Sequence, residues 1–280
     1  MIERILVIGA GQMGGGIAQV AAISGLQVAL VDVDDASIER GLAAVRRSLG
    51  RLHEKGTVDD PEGVLSRIST STELESGRDC QLMIEAAPER FDLKAEIFAR
   101  ADALLPPEAI LASNTSSIPI GRLAARTGRP DRVCGMHFFN PVAVLRLVEL
   151  IRGLDTSDET VAAVRAVAER MGKTVAESRD VPGFLSNRIL LPMLNEAVFC
   201  LYEGVGDAGS IDTVMQLGMA HPLGPLALAD LIGLDTCLAI LEVLHDGLGD
   251  PKFRACPLWR QYVDAGRLGR KSGRGFHVYT

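Results

Sequence analysis

The chain has 280 residues, 47% of them apolar and 23% charged, which is material for about two ordinary domains with cores that need no stapling. Its 29 Lys and Arg against 36 Asp and Glu give a formal net charge of −7, and no block of five or six basic residues interrupts that balance. Nucleic acid and anionic membrane surfaces are therefore poor partners, although local basic clusters can still hold a small phosphorylated ligand. The five cysteines, Cys80, Cys134, Cys200, Cys237 and Cys256, form no CxxC and are odd in number. They read as reduced core thiols rather than a secreted disulfide framework or a zinc ribbon.

From Ile5 to Val31 there is no charged residue, a length that could cross a bilayer, but the segment carries six glycines and turn chemistry at both ends. It reads as strand Arg4–Ile8, a Gly-rich turn and a buried helix, in a soluble, cytoplasmic protein. A second strand follows at Gln27–Val31. Asp35 to Gly56 then reads as a helix with apolar residues at Ile38, Leu42, Val45, Leu49 and Leu52, a 4-3-4-3 stripe. Further strands are expected at Leu82–Glu85, Ile110–Ala112, Arg132–Met136 and Leu145–Ile151. Short β-branched runs alternating with helical patterns indicate an α/β fold with a Rossmann-like, doubly wound parallel sheet. After Pro182-Gly183 the character changes to long apolar helical stretches, Phe184–Tyr202 and Leu226–Leu244, with little strand signal before Gly275–Tyr279. The expected division is an N-terminal α/β domain over 1–182 and an all-α domain over 183–280, with Pro182 suited to the first turn of a long helix.

Ile5-Leu6-Val7-Ile8-Gly9-Ala10-Gly11-Gln12-Met13-Gly14 is a strand running into G-x-G-x-x-G. Gly9 permits the tight turn, Gly11 lets a pyrophosphate approach the backbone, and Gly14 allows helix and strand to pack closely. The helix beginning there offers free N–H groups and a positive dipole end to phosphates. Alone, such a turn is weak. Here a second strand leads to Asp32, about 20 residues on, where a carboxylate can accept both ribose hydroxyls. Asp32 would repel a 2′-phosphate and no arginine follows directly (Val33-Asp34-Asp35), so NAD is favoured over NADP; the glycines alone leave FAD open.

Ligands of open parallel sheets bind beyond the carboxyl ends of the strands. Two segments there are polar, Ala112-Ser113-Asn114-Thr115-Ser116-Ser117 and Gly135-Met136-His137-Phe138-Phe139-Asn140-Pro141. Glu149 lies inside an apolar run, Leu147-Val148-Glu149-Leu150. An isolated buried carboxylate is costly, so it needs a partner, and His137 is the natural candidate. A carboxylate that fixes the imidazole tautomer and stabilises imidazolium makes a competent base for a hydroxyl oxidised beside NAD. A satisfied core histidine is the bland alternative. His53, His221, His245 and His277 are scattered without metal-ligand spacing, so no metal is expected.

These motifs carry a resemblance. With Pro182-Gly183-Phe184-Leu185-Ser186-Asn187-Arg188, His221-Pro222-Leu223-Gly224-Pro225-Leu226 and Leu268-Gly269-Arg270-Lys271-Ser272-Gly273-Arg274-Gly275-Phe276, the chain resembles the short-chain L-3-hydroxyacyl-CoA dehydrogenases, particularly bacterial 3-hydroxybutyryl-CoA dehydrogenases, over residues 2 to 279. The resemblance implies NAD-dependent interconversion of an L-3-hydroxyacyl-CoA and a 3-oxoacyl-CoA. It makes His137 the base, Glu149 its orienting acid, and Ser116 and Asn187 a polar pair near the substrate oxygen, in a cleft between the domains. Gly9, Gly11, Gln12, Met13, Gly14, Asp32, Glu89, Lys94, Asn140 and Lys271 match positions that contact the dinucleotide. Glu89 and Lys94 alone would pass for a solvated helix face, and Lys271 for a tail charge.

Ser48 and Lys55, seven apart on nearly one line of their helix and flanked by Arg46, Arg47 and Arg51, match positions that meet the CoA moiety. Solvated arginines are the plain alternative. The family habit, together with more apolar helix at Ile189–Leu201 and Leu226–Leu244 than so small a domain should need to bury, implies a homodimer through the second domain. Three departures from the family pattern stand out: Pro88-Glu89-Arg90, Gly275-Phe276-His277 and the less basic loop at His53-Glu54. Two rival readings share the fold: an L-gulonate-type sugar-acid dehydrogenase, and a non-catalytic, crystallin-like dinucleotide-binding protein.

Overall fold

In the computed structural model residues 2–279 are described, and they fall into two compact units that divide between Val181 and Pro182. The first is built on strands β1 (Arg4–Ile8), β2 (Gln27–Val31), β3 (Ile68–Ser71), β4 (Leu82–Glu85), β5 (Ile110–Ser113), β6 (Val133–Phe138), β7 (Leu147–Arg152) and β8 (Thr174–Arg179). Its helices are α1 (Gln12–Ile23), α2 (Asp35–Glu54), α3 (Pro61–Leu65), α4 (Phe91–Leu104), α5 (Ile120–Ala124) and α6 (Asp158–Arg170). The strands form one sheet in the order β3-β2-β1-β4-β5-β6-β7-β8. The chain leaves β1 toward β2 on one side and returns through β4 on the other, so the glycine turn after β1 lies at the topological switch point.

Residues of β1, β2, β4 and β5 are almost entirely buried, as expected for strands covered on both faces. Helix α2 starts where Asp34 accepts the Ser37 N–H at 2.6 Å, an N-cap. Its apolar stripe buries Ile38, Val45 and Leu49 and half-buries Leu42 and Leu52, as its spacing predicts.

The sheet departs from the expected one in two respects. It is not wholly parallel: β7 runs antiparallel to β6, and β8 follows β7 in parallel. Pairing direction is set by the connection, and the short link from Phe138 to Leu147 is too brief for a helical crossover. Strands β3 and β8 are also additions to the expected set. Both are sheet edges, and Ile-Ser-Thr-Ser and Thr-Val-Ala-Glu-Ser-Arg have one apolar core-type residue each beside alanine and polar groups. Half-solvated edges lack the apolar run by which the inner strands are recognised.

The second unit contains α7 (Ser186–Tyr202), α8 (Ala208–Thr213), α9 (Pro225–Ile232), α10 (Leu234–Leu248) and α11 (Pro257–Asp264). Helix α7 begins at Ser186 rather than at Pro182. The single stretch expected over Leu226–Leu244 is two helices, because Gly233 adopts φ +106°, which no helix accommodates. Trp259 is fully buried and donates its indole N–H to Asn195 Oδ1 at 2.9 Å. His277, at a position where the sequence departs from the pattern it resembles, has Nε2 2.7 Å from Asp212 Oδ2, and Asp212 also accepts the N–H groups of Leu226 and Ala227 at the start of α9. Among the described residues no helix is long and apolar enough to cross a membrane.

Candidate active site

The glycine turn has the geometry a dinucleotide requires. Gly9 sits at φ +101°, where a Cβ would lie 2.7 Å from the Ala86 carbonyl oxygen, and a Cβ on Gly14 would fall 1.7 Å from that of Gly9. Gly11 differs: a Cβ there would meet nothing within 4 Å. Protein packing does not demand glycine at 11, whereas backbone contact with a ligand does. Gly11, Gln12, Met13 and Asp32 line a cavity of about 780 Å³ whose apolar wall includes Val33, Leu74, Leu93 and Ile97. A long ligand with a flat apolar base and a phosphate bridge suits that lining. Asp32 is tied to the turn, accepting the Ala10 N–H at 2.6 Å and the Val33 N–H at 2.7 Å, and it lines the cavity beside Gly11.

Beyond β4 and β5 lies a buried ionic network that only partly follows expectation. Lys94, expected at the dinucleotide, is 1% exposed; its Nζ is 2.6 Å from Glu85 Oε1, 3.0 Å from the Ala87 carbonyl and 3.3 Å from Glu89 Oε2. It is therefore sealed from a ligand, and the surface left to one belongs to Glu89. Glu85, fully buried, also accepts the Ala87 N–H and the Ser113 hydroxyl, both at 2.6 Å. Glu89 Oε1 accepts the N–H groups of Ser116 and Ser117 at 3.0 and 3.1 Å and the Thr115 and Ser117 hydroxyls at 2.5 and 2.9 Å. Burial raises the Glu89 carboxyl, but the Lys94 charge and these hydrogen bonds outweigh it and hold the group below the ordinary glutamate range. Ser116 is thus carried on a loop fixed from below by Glu89. Glu85 was not among the expected residues. Its signal was the one that singled out Glu149: an acid at the end of an apolar strand, Leu82-Met83-Ile84-Glu85.

His137 and Glu149 face each other directly in the β6–β7 register, with Nδ1 3.2 Å from Oε2. They are 8% and 2% exposed. A carboxylate beside Nδ1 favours the tautomer that carries the ring proton there. The ring also packs on Phe139, centroid to centroid 4.6 Å. Asn114 Oδ1 accepts the Phe138 N–H at 2.8 Å, joining the serine loop to the strand that bears the histidine.

Asn140 lies in the loop after β6, which is anchored by a buried lysine. Lys173, buried just before β8, donates to the carbonyls of Val142 and Leu145, the latter at 2.8 Å. Burial lowers its ammonium pKa. Asn140 and Ser48 line one cavity of about 440 Å³, whereas Lys55, at the exposed C-cap of α2, lies outside that lining. In the second unit, Asn187 is buried in the first turn of α7. Lys271, also expected at the dinucleotide, pairs with Asp235 at 2.6 Å. Burial lifts the thiols of Cys80 to about 11 and of Cys134 and Cys237 to about 12, which removes them as nucleophiles near neutral pH.

The NAD binding domain of 3-hydroxyacyl-CoA dehydrogenase matches residues 4–181, and the C-terminal domain of the same family matches residues 183–279. A probable 3-hydroxybutyryl-CoA dehydrogenase of Bacillus subtilis is 57% identical over 280 residues, covering 99% of this chain and 98% of the relative. A 3-hydroxybutyryl-CoA dehydrogenase of Bradyrhizobium diazoefficiens is 52% identical, covering 100% and 96%. The crystal structure of (S)-3-hydroxybutyryl-CoA dehydrogenase from Ralstonia eutropha superposes with a TM-score of 0.98 at 50% identity, covering all of both chains. Switch-point glycine turn, NAD binding domain and full-length likeness converge, and the chain belongs to the 3-hydroxyacyl-CoA dehydrogenase family of NAD-dependent oxidoreductases.

Proposed function

We propose that the protein interconverts short-chain L-3-hydroxyacyl-CoA, of the 3-hydroxybutyryl-CoA type, and the 3-oxoacyl-CoA, with His137 and Glu149 as the acid–base pair. The observation that carries this reading is the 3.2 Å His137–Glu149 contact at the end of β6. In oxidation His137 takes the 3-hydroxyl proton, and Glu149 holds the ring and balances the imidazolium; in reduction the same proton returns. Bound NAD supplies the hydride acceptor for C3. Gly9, Gly11, Gln12, Met13, Gly14 and Asp32 would hold it, with Glu89, Asn140 and Lys271 as further contacts. Ser116 and Asn187 orient the substrate oxygen, and Ser48 and Lys55 meet the CoA moiety.

The first unit thus serves the cofactor and the CoA moiety, and the second adds Asn187 to the substrate and forms a homodimer. Ile189, Leu217, Met219 and Leu231, each more than half exposed in the second unit, support such self-association. Buried free cysteines fit a reducing cytoplasm.

The test is NADH consumption with acetoacetyl-CoA, beside free acetoacetate and, in the oxidative direction, a sugar acid. Turnover confined to the CoA ester is expected; turnover confined to the sugar acid overturns the substrate assignment. Lys55→Ala should raise KM for acetoacetyl-CoA by up to about fivefold, the worth of an exposed charge pair, with kcat unchanged. An unmoved KM removes Lys55 from the CoA site.

A further inference from the structure

Lys173 is buried, and among the described residues its ammonium meets two backbone carbonyls, those of Val142 and Leu145, and no carboxylate. A buried charge without an acid is costly, and methionine would fill much the same space without that cost. What the lysine adds is its hold on the two carbonyls. Its own place is fixed. Lys173 is the second residue past the C-cap of α6; its N–H donates to the Ala168 carbonyl at 3.0 Å, and that of Gly172, at φ +74°, donates to the Glu169 carbonyl at 2.9 Å. This is a Schellman turn, in which an apolar residue at this position ordinarily folds back on its own helix. Here the side chain reaches the loop after β6 instead.

That loop moves as one unit. The Pro141 carbonyl accepts the N–H groups of Val144 and Leu145, each at 3.0 Å, and closes a turn over 141–145. Val142, 3% exposed, seats the turn on α1 at Gly16, where a Cβ would lie 2.8 Å from the Val142 Cβ. Gly16 lies outside G-x-G-x-x-G, so the close approach of this loop is a separate reason for glycine there. Held by Lys173 and seated on α1, the turn carries at its start the exposed Asn140, which shares a cavity of about 440 Å³ with Gly11, Gln12 and Asp32.

We infer that Lys173 is a positioning residue for the dinucleotide: it does not touch NAD but acts through the 141–145 turn, holding Asn140 where the cofactor meets it. This rests on the Asn140 contact proposed above and adds the group that fixes it.

The test is a double-mutant cycle read in NADH affinity by fluorescence titration, which needs no substrate and stands whatever the acyl group is. Asn140→Ala and Lys173→Met are each expected to raise Kd for NADH about three- to tenfold, the worth of one neutral hydrogen bond. The double variant should bind NADH no more weakly than the weaker of the two, because the second change removes a contact already lost. A lysine that only stabilises the fold would lower the thermal midpoint and leave Kd unmoved. One that acts elsewhere on the cofactor site would multiply its loss with that of Asn140. Either result, with Asn140→Ala weakened as expected, overturns the role of Lys173 alone. An unmoved Kd in Asn140→Ala overturns the Asn140 contact, and the clamp with it. Should Lys173→Met not fold, Lys173→Gln, which keeps a donor but is too short to hold both carbonyls, takes its place in the cycle under the same criteria.

Discussion

Replacing His137 by glutamine should lower kcat by about 10²- to 10⁴-fold, the usual worth of a positioned general base, and leave NADH affinity within about twofold. The reason is local. The imidazole is held at its Nδ1 by a carboxylate that is 2% exposed, and both residues sit in one cross-strand pair of β6 and β7. Glutamine keeps an N–H donor for Glu149, so the buried carboxylate is not abandoned and the strand pair should survive. What is lost is the titrating nitrogen. Stopped-flow turnover together with NADH fluorescence titration separates the two effects. A parallel loss of NADH binding would show that His137 holds the fold of the strand end rather than the proton.

Lys94→Met is expected to destabilise the protein by about 3–5 kcal/mol, the cost of removing one partner from a buried ion pair. For a unit of this size that is a thermal midpoint lower by roughly 6–20 °C. Glu85 would keep a buried charge with only the Ala87 N–H and the Ser113 hydroxyl against it, and Glu89 would lose its cation. Because Glu89 carries the Thr115–Ser117 turn, KM for NADH should rise as well. The pH dependence has a definite sign. A carboxyl held below its ordinary 4.5 stabilises the fold in full above that value and loses the contribution as pH falls through the lowered one. The gap between wild type and variant should therefore be widest at neutral pH and narrow below 4.5. Adding Glu85→Gln to Lys94→Met should recover part of the loss, since the uncompensated charge goes with it. A midpoint shift under 2 °C would mean that water reaches the network and that Lys94 is not sealed.

The elements nearest the cofactor were legible in the sequence because their information is local. Strands Arg4–Ile8, Gln27–Val31 and Leu82–Glu85 are buried over their apolar residues, so each reads as an apolar run with one polar residue at its end. Gly9, Gly11 and Gly14 are spaced by the turn itself, and Asp32 follows at the end of the next strand. The stripe of α2 is likewise a property of one helix. Edges are different: β3 and β8 become strands through a neighbour on one side, and their half-polar composition does not announce it. The same is true of direction, since nothing within Leu147–Arg152 dictates that it runs against β6.

That reversal sets Glu149 opposite His137, turning two residues twelve apart into a facing pair. Lys94 shows the limit from the other side. Its sequence neighbours are those of an exposed helix face, yet the crossover from β4 folds it over Glu85 and buries it. Lys173 under the Asn140 loop is of the same kind. By itself the sequence determined the strands of the inner sheet, the nucleotide turn and the candidate base. Tertiary structure alone decided which charges were buried together, because burial and pairing depend on strand direction and crossover, and no short window of residues contains either.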